Sequence, residues 1–183
     1  MEFLFHLDYS LFFLINRLPH PLWADTIFLF FSFYPLLMWL FIGSLFLWYE
    51  FSRAKRFFVP LLVSLIVSGV LISVVLKPFF ARSRPDIIHT NQVVVVSEKS
   101  SWVPWNIDYS FPSGHAGIAI AGATILGIQK KTYRKFFFLF ALLTCFSRIY
   151  LGKHYPLDVL AGGLVGYAIA FLSLRLFRHD HTH

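Results

Sequence analysis

The chain alternates long apolar stretches with short polar punctuation, and most of the stretches have the length of a helix. Residues 3–18 form a short aromatic-rich stretch, interrupted by His6, Asp8 and Asn16 and closed by Pro19 and Pro21. At 1.5 Å per residue it reaches about 24 Å, short of the roughly 30 Å hydrocarbon core of a bilayer, which predicts an interfacial helix. Residues 25–49 are long enough to span, with Trp39, Trp48 and Tyr49 as interface anchors toward one end and the basic cluster Arg53, Lys55, Arg56 closing the helix. Residues 57–76 predict a second span, ended where Pro78 biases Lys77 away from helical conformation. A polar, irregular loop is expected over residues 77–114. The stretch 115–129 is rich in small residues (Ala116, Gly117, Ala119, Ala121, Gly122, Ala123), which permit close helix approach in lipid and predict a central helix. Residues 136–150 return across the membrane, and Pro156 fits the first turn of a last helix over 156–177. The expected fold is all-α: a polytopic transmembrane bundle with an N-terminal interfacial helix plus five spans, or six if the first helix crosses. No repeat or low-complexity linker interrupts it, so residues 1–183 are read as a single domain.

Composition supports that reading. The chain is 57% hydrophobic and only 14% charged, against roughly 25% charged in soluble domains, which excludes a water-exposed globule or a disordered chain. The formal net charge of +7 fits nucleic acid, anionic lipid or an anionic substrate, and position decides among them. Nine of the 16 basic residues fall on one side of the expected bundle: Arg53, Lys55, Arg56, Lys130, Lys131, Arg134, Lys135, Arg175 and Arg178. That side should be cytoplasmic, and no nucleic-acid partner is expected. The other seven are Arg17, Lys77, Arg82, Arg84, Lys99, Arg148 and Lys153, and five of them fall in two clusters with chemical character. The single Cys145 lies in an apolar run and reads as a small buried hydrophobe. Glu2 and Asp8 stand where a signal peptide carries basic residues, so the first helix is read as part of the mature protein.

Three segments share the extracytoplasmic face: Lys77 to Pro85, Pro112-Ser113-Gly114-His115, and Ser147-Arg148 with His154 and Asp158. Cations at buried helix ends are costly and are retained chiefly to bind or move charge. Lys77, Arg84 and Arg148 together can neutralise a tetrahedral oxyanion, the arginines through their planar forks and the lysine as a point charge. Ser113 and Gly114 sit at a helix start, where unpaired backbone N–H groups attract anions and glycine admits close approach. Asp158 follows His154 by one helical turn, so it can hold one ring nitrogen and aim the other at phosphorus. His154 is therefore the candidate nucleophile. His115, on another helix, is the candidate acid for the leaving group and later base for water. No metal or cofactor is called for.

Other polar residues have plainer readings. Ser147 either touches phosphate or bonds a helix carbonyl, and Arg82 is either a substrate contact or a loop cation. Asp86 and Asp108 flank turns, while His6, His20 and His89 read as structural. His179, His181 and His183 read as an exposed tail.

The three strings match K-x6-R-P at Lys77, Arg84 and Pro85, P-S-G-H at Pro112 to His115, and S-R-x5-H-x3-D at Ser147, Arg148, His154 and Asp158. In that order and spacing they resemble the type-2 phosphatidic acid phosphatase superfamily over the whole membrane core. The resemblance implies a metal-independent lipid phosphatase with a phosphohistidine on His154, acid and base work by His115, and phosphate binding by Lys77, Arg84, Ser113, Gly114 and Arg148. It implies a phospholipid, lipid A or polyprenyl diphosphate substrate, met at the outer face of a bacterial cytoplasmic membrane. Lipid A 1-phosphatase is favoured; undecaprenyl-diphosphate and phosphatidylglycerophosphate phosphatases are the alternatives. The loop from Ile87 to Ser110, with Val93 to Val96, Trp102 and Trp105, is expected to cap the site. A transporter would need polar residues at several depths, whereas here they gather at one end, and the related vanadate-dependent haloperoxidases are soluble.

Overall fold

A computed structural model describes residues 2–33, 35–49, 51–96 and 109–177. Lys99, Trp102, Trp105, Asp108, Arg178 and the three terminal histidines lie outside the described residues. The described chain is all-helical: α1 (Glu2–Asn16), α2 (Leu22–Phe33), α3 (Pro35–Tyr49), α4 (Phe51–Val70), α5 (Lys77–Phe80), α6 (Pro85–Ile88), α7 (Gly114–Gln129), α8 (Arg134–Tyr150) and α9 (Pro156–Leu176). A π-helical turn, Leu71–Leu76, joins α4 to α5 without a break. Such turns widen a helix by one residue and often adjoin functional positions. Here it precedes Lys77, which is buried while Pro78, Phe79 and Phe80 are exposed.

The small-residue helix α7 is central, packed against α9, α8 and α4. Ala119, Ala121, Ala123, Ile125 and Leu126 from α7 join Trp39, Leu61, Leu65, Phe137, Phe140 and Ala170 in the main core. Glycine decides how near α9 comes. A Cβ on Gly162 would collide with the carbonyl of Ser113, and one on Gly166 with the carbonyl of Gly117. Because the obstacle is backbone, neither clash is relieved by a rotamer change. Gly162→Ala is expected to destabilise the fold by roughly 1–3 kcal/mol and to lower activity per folded molecule, since Ser113 moves with the helices. Thermal unfolding alongside specific activity checks this; full activity at full stability would contradict it.

The span count differs from the sequence expectation. Among the described residues, two helices are long and apolar enough to cross a membrane, Phe57–Phe80 and Pro156–Leu176. Leu22–Ser32 with Leu37–Leu45, bent by 72°, counts as a third if the two halves form one span. Five spans, or six, are therefore not present by this criterion. The stretch 25–49 is not one straight helix, because α2 ends and α3 restarts at Pro35. Helix α7 has 16 residues and α8 has 17, with Arg134 and Lys135 at the start of α8 and Arg148 near its end. At 1.5 Å per residue each falls a few ångströms short of a roughly 30 Å core. Helix α1, with 15 residues, is shorter still.

Nor is α1 merely laid on a surface. Asp8, Phe12 and Asn16 recur every four residues on one buried face. Phe12 joins Val93, Ala116, Cys145, Ile149, Tyr155 and Val159 in a second core beside the polar end of the bundle. The Asn16 amide donates to the carbonyls of Val94 and Tyr150, each at 2.9 Å, and its oxygen accepts the Val94 N–H at 2.9 Å. His20 pairs with Asp25 at 2.9 Å and stacks on Tyr150.

Candidate active site

Three backbone links hold the polar segments together. Ser83 and Tyr109 form an antiparallel bridge, and the Ser110 N–H donates to the Arg82 carbonyl at 2.7 Å, tying the first segment to the second. The Ser113 N–H donates to the Asp158 carbonyl at 2.8 Å, tying the second to the third. Within the third, the N–H groups of Lys153 and His154 both donate to the Arg148 carbonyl, at 3.0 and 3.1 Å. This turn folds His154 back over the end of α8.

Helix chemistry accounts for the local shape. Ser113 is extended at φ −76° and ψ 115°, and its hydroxyl oxygen accepts the Ala116 N–H, capping α7. Tyr155 is extended before Pro156, and the Asp158 carboxylate accepts the Tyr155 N–H at 2.8 Å, capping α9. Ala81 takes a left-handed conformation, φ 47°, which ends α5 and turns the chain toward Arg82 and Arg84.

His154, Asp158, Ser113, Lys77 and Arg148 are all buried, and His115, Gly114 and Arg84 are half-buried. Both histidines lie in the field of the same cations. Burial, then Arg84, Arg148, Lys77 and His115, hold the His154 imidazole well below the usual histidine range. Burial, then Arg148, Lys77 and Arg84, do the same to His115. Each ring is thus neutral when no anion is bound. Nε of Arg84, Nε of Arg148 and Nδ1 of His154 are buried without hydrogen-bond partners among the described residues. Buried donors of this kind are rare unless a ligand completes them.

The structure thus brings together Lys77, Arg84, Ser113, Gly114, His115, Arg148, His154 and Asp158, the residues selected from sequence spacing. One expected contact is longer than a hydrogen bond: His154 Nδ1 stands 3.7 Å from Asp158 Oδ2. Asp158 is engaged elsewhere, since Oδ1 accepts Arg82 Nη1 at 2.7 Å and Oδ2 caps α9. Ser147 takes the plainer of its two readings, donating to the Thr144 carbonyl at 2.7 Å. Asp86 is paired with Lys153 at 3.1 Å.

Sequence spacing did not select Ser32, whose hydroxyl accepts from Arg148 Nη1, or Asp8, which holds Arg82. Asp8 carried a readable signal, being an acid amid aromatic residues on a short helix. Ser32 carried none, because a serine in an apolar helix is unremarkable.

Residues 57–181 match the PAP2 superfamily. The chain belongs to that superfamily. It is 36% identical over 127 residues to an undecaprenyl-diphosphatase of Sulfolobus acidocaldarius, a match covering 69% of this chain and 58% of that protein. It is 27% identical to a lipid A 4'-phosphatase of Porphyromonas gingivalis, over 100% of this chain and 78% of that one. The crystal structure of Aquifex aeolicus LpxE superposes with a TM-score of 0.74 at 32% identity, covering 92% of this chain and 95% of that one. The chain spans little more than half the length of the undecaprenyl-diphosphatases it matches.

Proposed function

We propose that this protein is an integral membrane phosphatase that hydrolyses a lipid phosphate or diphosphate through a phosphohistidine intermediate. One observation carries the reading: Lys77, Arg84 and Arg148 converge on His115 and His154 beside a helix N-terminus, with Nε of both arginines buried and unpaired among the described residues. That is a receptor for a tetrahedral dianion with a nucleophile inside it.

In the first step Nε2 of His154 attacks phosphorus and the bond from phosphorus to the lipid oxygen breaks. That oxygen takes a proton from His115, whose proton affinity rises when the dianion binds beside it. In the second step His115 takes a proton from water, the hydroxide attacks phosphorus, and the bond from phosphorus to nitrogen breaks. Arg84 and Arg148 hold the equatorial oxygens, Lys77 adds charge, and Ser113 and Gly114 offer backbone N–H groups.

The favoured substrate is a lipid A phosphate, the 1-phosphate first. Likeness to a lipid A 4'-phosphatase across this whole chain, and to a lipid A 1-phosphatase of Rhizobium johnstonii at 29% identity over 131 residues, supports that choice. Undecaprenyl diphosphate is the second reading, supported by the 36% identity to the Sulfolobus acidocaldarius protein. The two long spans run in opposite senses, α4–α5 into the site and α9 away from it toward Arg175. The basic residues following α7 gather at that far end, which supports an extracytoplasmic site under the positive-inside rule.

Among the described residues no group of three or more His, Cys, Asp or Glu is placed to hold a metal ion. Purified protein is expected to release phosphate from one member of a panel of lipid A, undecaprenyl diphosphate, phosphatidylglycerophosphate and phosphatidic acid, undiminished in excess EDTA. Activity lost to the chelator and restored only by a divalent cation would refute the site chemistry.

A further inference from the structure

The phosphate site leaves a buried carboxylate and a half-buried guanidinium without a task. Asp8 lies on α1 with its side chain fully enclosed, and Arg82, between α5 and α6, joins it to the catalytic end of α9. Arg82 Nη2 donates to Asp8 Oδ2 at 2.7 Å, and Nη1 donates to Asp158 Oδ1 at 2.7 Å. The guanidinium is seated over the Tyr155 ring, 4.1 Å from its centre. The second oxygen of Asp8 accepts the Leu157 N–H at 2.8 Å. Asp8 thus grips both the arginine and the first turn of the helix that carries Asp158.

Every oxygen of Asp158 is accounted for by this arrangement. Oδ1 is fixed by Arg82, while Oδ2 takes the Tyr155 N–H and faces His154 Nδ1 at 3.7 Å. A planar fork that bridges two carboxylates fixes the rotation of both. Charge matters as well as angle. An arginine paired with Asp158 alone would neutralise it, whereas one shared with Asp8 leaves a net negative charge behind His154 as its ring becomes positive on phosphorylation.

We propose that Asp8 and Arg82 are positioning residues for His154, acting through Asp158, so that the N-terminal helix completes the catalytic apparatus. The proposal rests on His154 being the nucleophile. Asp8→Asn removes one charge at nearly constant shape, freeing Arg82 to draw Asp158 away from the imidazole. It should lower kcat about tenfold or more with KM within about twofold, because no substrate contact is lost. The rate of phosphohistidine formation should fall in step. Asp8→Glu, which keeps the carboxylate, should recover part of the loss. Arg82→Lys, which keeps the charge but not the fork, should lower kcat and leave KM in place.

The full chain in detergent is the sample, and each variant is scored per folded molecule by thermal midpoint and monodispersity. Should Asp8→Asn fail to fold, Asp8→Glu and Arg82→Lys decide the matter through the same split of kcat and KM. Unchanged kcat in the folded variants would overturn the proposal, as would a rise in KM alone, which would make Arg82 a substrate contact. Labelling of wild type and His154→Ala reports separately on the nucleophile. Label that survives in His154→Ala defeats the function proposed above, whatever the Asp8 variants do.

Discussion

His154→Ala is expected to abolish turnover, lowering kcat by about 10⁴-fold or more, and to remove any acid-labile, alkali-stable phosphoenzyme. The side chain is 1% exposed, and the cations around it, Arg84, Arg148 and Lys77, are poor nucleophiles. With Lys77, Arg84 and Arg148 in place, phosphate is expected to remain a competitive ligand of this variant. The pH dependence of the wild type adds a second reading of the same residue. A nucleophile must be neutral, and burial with the surrounding cations holds the free His154 well below the usual histidine range. As pH falls, the fraction of neutral His154 is therefore kept through the ordinary titration region near about 6.5 and lost only below it. Titration of His154 should therefore put no acid limb on log kcat/KM in that region, while the need for a proton on His115 sets the basic limb. Alkali-quenched labelling with radioactive phosphate and a pH series on one substrate check both statements; label persisting in His154→Ala would place the nucleophile elsewhere.

The family and the grouping of the candidate site were legible in the sequence because the polar segments are short strings whose internal spacing is set by helix starts. Ser113 caps α7 and Asp158 caps α9, so the polar residues at both positions are visible as punctuation before apolar runs. The number of spans was less legible. Apolar length alone does not separate a helix that crosses lipid from a shorter one packed against its neighbours, and α7 and α8 are of the second kind. Pro35 was a readable break within residues 25–49, yet the apolar run on both sides masked it.

What sequence spacing could not supply was the part played by distant residues. Asp8 and Asp158 are 150 positions apart and share one guanidinium. Nothing local marks such a pair, since Asp8 lies midway along α1 and Asp158 in the first turn of α9, and neither position points to the other. Arg82 had two plain readings, loop cation or phosphate contact, and the structure gives it a third. It is an internal counter-ion, with two carboxylates that hold its charge above the usual arginine value against the cost of burial. Two of the three proposed phosphate cations, Lys77 and Arg84, thus flank this internal counter-ion within a segment of eight residues, Lys77 to Arg84.

The second histidine should fail differently from the first, and the difference depends on the leaving group. In His115→Ala the nucleophile and the cations remain, so the dianion still binds and His154 still attacks. With a lipid monophosphate whose leaving group is a simple alcohol, the departing alkoxide lacks a proton donor, and kcat should fall by about 10³-fold. With a diphosphate the leaving group is a lipid phosphate, which departs without protonation, so phosphoenzyme formation should fall by only about tenfold. The dephosphorylation step still needs a base for water in either case. His115→Ala should therefore accumulate labelled His154 on the diphosphate and little on the monophosphate. Rapid-quench labelling of the variant with both substrates reads this directly. Equal impairment of the labelling step on the two would remove His115 from the acid role, and a variant as fast as wild type would remove it from the chemistry altogether.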